Sequence, residues 1–168
     1  HDQAEAMTIA DRIAVMNDGR IEQFDPPDVV YNAPRSLFVA DFVGNVNLMD
    51  GTVTDDQPSS VTVVCADCTH FVGHGITGHI DVPVVVALRP EKLFLSRYEP
   101  DGPHNRVRGT VKEMSYFGDT TLYHLELASG ARLKVTVEND SRDRSNAPTW
   151  GDRVWAHWQP NAQVVLTQ

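Results

Sequence analysis

The chain has 168 residues with 14 basic and 23 acidic side chains, a formal net charge of −9 and an apolar fraction of 41%. That composition suits one ordinary domain or two small ones, and the acidic balance repels polyanions, so no nucleic-acid partner is expected. No apolar run approaches the roughly 20 residues that span a bilayer, no signal-peptide pattern is seen, and two cysteines exclude a disulfide-rich scaffold, so a cytosolic protein is expected.

In chain order, Asp2 with Glu5 has the spacing of a capping box and predicts a helix over Gln3 to Asp11, with Ala6, Met7 and Ala10 on one face. His1 stands immediately before that helix, where an imidazole and free N–H groups can face an anion such as phosphate. From Arg12 the period changes to two, placing Ile13 and Val15 on one side of a strand, and Asn17-Asp18-Gly19 predicts a type I′ hairpin turn. Asp25 is expected to cap a short helix opening on Pro26 and Pro27 and ended by Pro34. Ser36 caps another, Leu37 to Val43, with an apolar face of Phe38, Val39 and Phe42 and with Gly44 suited to a left-handed end. The boundary to a second region falls at Asn45-Val46-Asn47.

Beyond it, short alternating strands separated by turn clusters predict a mainly β fold. Strands are expected near Leu48–Thr54, Val61–Cys65, Thr69–Val72, Gly78–Asp81, Val84–Leu88 and Leu93–Ser96, and Val84–Leu88 is apolar on both faces and therefore buried. Arg97–Asn105 reads as a loop between two β units. The second unit has strands near Val107–Tyr116, Thr120–Leu127, Arg132–Val137, Arg153–Trp158 and Val164–Leu166, with an exposed loop over Asn139–Pro148. Gly51-Thr52-Val53 and Gly109-Thr110-Val111 repeat one pattern at the start of each unit, which favours two related oligonucleotide-binding-type (OB) barrels.

Several constellations bear on chemistry. Cys65 and Cys68, with His70, His74 and His79, hold sulfur and nitrogen ligands that zinc prefers, but there is no second Cys-x-x-Cys and the histidines are irregularly spaced. Structural thiols facing each other across a hairpin are the expectation, with no metal. Arg89 and Glu91 flank Pro90 at the end of the buried strand, as a ligand or interface contact or as a solvated turn. Tyr116 and Asp119 bracket Phe117 and Gly118 and could line a pocket or a dimer surface, or form a bulged hairpin. Trp150, Trp155 and Trp158 are expected in the core or at an interface.

The opening residues, His1-Asp2-Gln3, Glu5-Ala6-Met7, Ala10 to Met16 and Gly19-Arg20-Ile21, resemble the switch-histidine segment of ABC importer ATPases, with Ala4 departing from an acidic residue often seen there. Asp25-Pro26-Pro27, Val30-Tyr31, Ala33-Pro34 and Phe38 to Phe42 resemble the tail of that ATPase domain. Leu88 to Lys92, Gly109-Thr110-Val111, Tyr116 to Thr120, Ser129-Gly130 and Gly151 to Val154 resemble the tandem OB-like regulatory domain that follows it. The resemblance implies a helix-hairpin-helix remnant of the α/β ATPase domain at 1–46 and a regulatory domain of two OB-like units at 47–168. It assigns His1 a contact to the γ-phosphate of ATP, with ATP and Mg²⁺ held in the longer protein. No Gly-x-x-x-x-Gly-Lys-Ser/Thr loop occurs in the sequence, so a C-terminal piece inactive by itself is expected. The implied partners are a second copy and transmembrane permease subunits, at the inner face of the cell membrane. Gly118 to Tyr123 leans the substrate toward polyamines such as spermidine or putrescine. A stand-alone OB module for an oxyanion or small metabolite is the alternative.

Overall fold

The computed structural model describes residues 2–76, 78, 80–139 and 146–167. A tail of three short helices and a hairpin comes first: α1 (Gln3–Ile9), β1 (Ile13–Asn17), β2 (Arg20–Asp25), α2 (Pro27–Asn32) and α3 (Leu37–Phe42). The Asp2 carboxylate accepts from the Glu5 N–H at 3.0 Å, so the expected cap is present, although the helix stops two residues short of Asp11. Asp18 and Gly19 take the positive φ values of 47° and 77° that the hairpin turn requires. Ser36 caps α3 through the Val39 N–H at 3.3 Å, and Gly44 follows that helix with φ 76°. Asp25 caps nothing. Its carboxylate accepts from the Gln23 amide and pairs with Arg35, while α2 starts on Pro26 without a side-chain cap. The buried face of α3 is Val39 and Ala40, and Phe38 and Phe42 stack beside it with Phe42 half exposed.

Ten strands follow: β3 (Asn47–Gln57), β4 (Ser60–Cys65), β5 (Thr69–Val72), β6 (Pro83–Leu88), β7 (Phe94–Ser96), β8 (Arg106–Tyr116), β9 (Thr120–Glu126), β10 (Arg132–Glu138), β11 (Arg153–His157) and β12 (Gln163–Leu166). They form two five-stranded antiparallel sheets, ordered β12-β6-β3-β4-β5 and β7-β11-β8-β9-β10. The fold is mainly β and OB-like, as expected, but the units are not consecutive in sequence. The strand after β6 leaves for the second sheet, and the strand after β11 returns to the first. Arg97–Asn105 accordingly connects two strands of one sheet instead of separating units.

The two sheets repeat each other in detail. Gly51 sits opposite Cys65, where a Cβ would come within 2.6 Å of Val63 Cγ1 and 2.9 Å of the Val64 carbonyl. Gly109 has the same cramped position, with a Cβ 3.0 Å from Leu125. Each strand bulges just after its Gly-Thr-Val, between Val53 and Asp55 and between Val111 and Glu113. Val53 exchanges hydrogen bonds with Asp81 and Val82, as Val111 does with Gly151 and Asp152. Ile80 and Asp81 therefore belong to a turn, with Asp81 at φ 67°, and among the described residues of 78–81 none lies in the strand expected over Gly78–Asp81.

Paired asparagines join the units. Asn47 donates to the Lys134 carbonyl and accepts from its N–H, both at 2.8 Å, and Asn105 does the same with Phe71 at 2.8 Å. Each amide thus stands in for a peptide group along the other unit's edge strand. The largest core cluster spans the junction, with Leu88 beside Leu125, Leu133, Val154 and Trp158. β6 is buried on both sides, because Val84 and Val86 face the first unit's core while Ala87 packs on Ala40 of α3. Among the described residues no helix is long and apolar enough to cross a membrane.

Candidate functional site

Arg89 leaves the end of β6 and turns back under the tail, 5% exposed. Its Nη1 donates to the carbonyls of Ala40 at 3.1 Å and Asn45 at 3.0 Å, and its Nε and Nη2 donate to the Tyr31 carbonyl at 3.4 and 3.1 Å. The guanidinium carbon lies 4.2 Å from the centre of the Tyr31 ring, a cation–π distance. The Tyr31 hydroxyl in turn donates to Glu91 Oε1 at 2.6 Å. Burial first, and then the bond to Glu91, push the Tyr31 phenol up to about 12, so it stays a donor at neutral pH. Desolvation lowers the Arg89 pKa from its usual value, while the Coulombic pull of Tyr31 and Glu91 acts the other way.

Two of the expected site residues, Arg89 and Glu91, are therefore drawn together, with Tyr31 between them. Arg89 is not a solvated turn residue. Four of its N–H groups are spent on backbone carbonyls, which makes it a clasp between tail and β module. Beside it lies a cavity of about 180 Å³, lined by Pro34, Val46, Ala87, Lys92 and Asn161.

Tyr116 and Asp119 lie elsewhere, on the β8–β9 hairpin of the second sheet. Gly118 has φ 91°, the Phe117 N–H donates to Thr120, and the Asp119 carbonyl accepts from the Asn139 N–H at 2.7 Å. Tyr116 and Phe117 are 62% and 67% exposed, so this turn presents an aromatic surface. His1, the expected γ-phosphate contact, and His79 lie outside the described residues.

Cys65 and Cys68 face each other across the β4–β5 turn, with the Cys65 N–H on the Cys68 carbonyl at 2.9 Å, and both are free thiols. Burial is the main cause that pushes them up to about 11 and 12. Among the described residues no group of three or more His, Cys, Asp and Glu side chains forms a metal cradle. Cys68 Sγ lies 3.3 Å from His70 Nε2, and His70 Nδ1 lies 2.6 Å from Gln163 Oε1, which also accepts from Trp158 Nε1 at 2.8 Å. Because an amide oxygen can only accept, His70 carries its proton on Nδ1 and receives the Cys68 thiol at Nε2. Gln163 Nε2 closes the network on the Phe71 carbonyl and on Asn105. Burial lowers the His70 pKa to about 4, so the ring is neutral. Of the tryptophans, Trp158 is in the core, Trp155 lies beside Arg106 and Arg108, and Trp150 is 73% exposed and so outside the core.

Sequence reasoning missed Tyr31, Asn47, Asn105 and Gln163. For the asparagines a signal was present: the repeat extends from Gly-Thr-Val back to Asn47-x-x-x-Gly51 and Asn105-x-x-x-Gly109.

Residues 86–166, from the middle of β6 to the end of β12, match the model of the TOBE domain family. The chain is 37% identical to the putrescine transport ATP-binding protein PotG of Escherichia coli strain K12, over 99% of this chain and 45% of that protein. It is 39% identical to the spermidine/putrescine import ATP-binding protein PotA of Thermobifida fusca strain YX, over 99% of this chain and 43% of that protein. The chain thus spans less than half the length of the curated relatives it matches. Among solved structures, the molybdate-bound form of the cytoplasmic molybdate-binding protein ModG has a TM-score of 0.61 at 14% identity, covering 71% of this chain and 94% of that one, a likeness of fold alone. Along nearly its whole length the chain is therefore similar to the TOBE-bearing part of polyamine-transport ATP-binding proteins, and its residues 86–166 carry the TOBE match.

Proposed function

We propose that this chain serves as the regulatory end of an ATP-hydrolysing subunit that drives polyamine import through membrane permease subunits, working as a homodimer at the inner face of the cell membrane. The observation that carries this reading is the match along 99% of the chain to putrescine and spermidine/putrescine ATP-binding proteins. The chain contains no phosphate loop, so ATP and Mg²⁺ would be held by the part of the subunit that it does not include. His1 would contribute an imidazole that holds the attacking water against the γ-phosphate. The exposed Tyr116 and Phe117 fit a surface that meets the second copy.

The test is ATP hydrolysis and radiolabelled putrescine and spermidine uptake by the full-length subunit reconstituted with its permease. Polyamine-dependent turnover that falls by about 100-fold or more in His1→Ala, the scale of a lost catalytic contact, is the expected result. Turnover indifferent to polyamines overturns the substrate, and turnover unchanged in His1→Ala overturns the role of the histidine. Failure of the full-length protein to hydrolyse ATP would leave the stand-alone binding module, for which the likeness to ModG supplies the fold and no site residue.

A further inference from the structure

The duplication supplies an internal control for Arg89. Each residue at the end of β6 has a counterpart at the end of β11. Leu88 pairs with Asn47 as Trp158 bonds to Asn105, and the turns that follow are the same, with the Lys92 N–H on the Arg89 carbonyl and the Ala162 N–H on the Gln159 carbonyl, both at 3.0 Å. At the position of Arg89 the second unit carries Gln159, and at that of Glu91 it carries Asn161, both exposed. The unit's own fold therefore does not require an arginine there. The copy that meets the tail has one, and each hydrogen bond found for its guanidinium ends on the tail or on the linker after it.

We infer that Arg89 is a positioning residue that pins α2, α3 and the Gly44-Asn45-Val46 linker to the β module, so that tail and module move as one rigid body and the linker is not a hinge. The three acceptor carbonyls belong to three segments, α2, α3 and the linker. Turning the module about the linker would pull the guanidinium from all three at once and leave the buried Ala40 carbonyl, and the half-buried one of Tyr31, without partners. A planar fork can serve several fixed acceptors together, which a lysine ammonium on a flexible stem does less well. Tyr31 closes the pin from the other side through its ring and its bond to Glu91, and Gly44 admits the ring so closely that a Cβ there would lie 3.0 Å from Tyr31 Cε2. The inference rests on this geometry and not on the polyamine reading, so either can fail without the other.

The test is ¹⁵N relaxation of this chain in solution. In the unsubstituted protein, amides of α2, α3 and both sheets should report one rotational correlation time. In Arg89→Met the tail amides should report a time shorter by about one third or more while the sheets keep theirs, since segments freed from a body gain nanosecond motion. Arg89→Lys should not restore the single value. If Arg89→Met does not fold, Tyr31→Phe read by hydrogen exchange replaces it, with amides of 27–46 exchanging roughly threefold or more faster and those of β3 to β12 unchanged. Two correlation times in the unsubstituted protein, a single one in Arg89→Met, or tail exchange unchanged in Tyr31→Phe each overturns the pin.

Discussion

Arg89 and His70 are both buried titratable side chains at a junction, and they are held in opposite ways. Arg89 keeps its charge because three backbone carbonyls and an aromatic face replace water around it. His70 gives up its charge, because its neighbours are an amide oxygen and a thiol that match a neutral ring. The junction of tail and module thus depends on an ion solvated by peptide groups, whereas the junction of the two β units depends on neutral hydrogen bonds around apolar packing. The two should therefore respond to different perturbations.

The largest effect is expected at the charged junction. Arg89→Met strands the buried Ala40 carbonyl and the part-buried acceptors at Tyr31 and Asn45, and should cost about 3–4 kcal/mol in a urea titration. A cost below about 1 kcal/mol would mean that water satisfies those carbonyls. The neutral junction should answer to acid. The folded pKa of His70, about 4, lies below its ordinary 6.5, so the neutral ring stabilises the fold fully above pH 6.5 and that stability drains as pH falls to 4. Over that window the loss is about 3 kcal/mol, and the excess slope of unfolding free energy against pH should vanish in His70→Gln.

A smaller effect separates the two kinds of junction further. Asn47→Ala removes both bonds to Lys134 and should cost about 1–2 kcal/mol with no change in pH dependence. The smallest is Tyr31→Phe, which keeps the ring over Arg89 but loses the bond to an exposed Glu91, for about 1 kcal/mol or less. If Tyr31→Phe matched Arg89→Met, the phenol and not the guanidinium would be the centre of the clasp.

What could be read from the sequence was local. The Asp2 cap, the Asp18-Gly19 turn, the Ser36 cap and the alternation of β3 to β12 each depend on residues within a few positions of one another. Arg89 and Glu91 stood out because charges beside a proline at the end of an apolar strand are unusual, yet what they do was hidden. The partners of Arg89 are backbone carbonyls, which every residue possesses and no pattern reveals. The exchange of β7 and β12 was equally silent, since a short apolar strand looks the same whichever sheet receives it. Gly78–Asp81 failed for a related reason: Val53 needs a turn to bond with, and that need appears only once the counterpart at Val111 is seen.

The return of β12 to the first sheet also bears on synthesis of the protein. Of the two sheets, the strands made earlier, β3 to β6, lack their outer neighbour until residue 166 has been made, whereas the strands of the second sheet, β7 to β11, are all present by His157. The first sheet therefore closes last, and a nascent chain stalled before Gln163 would present β6 as an open edge on which another chain could pair.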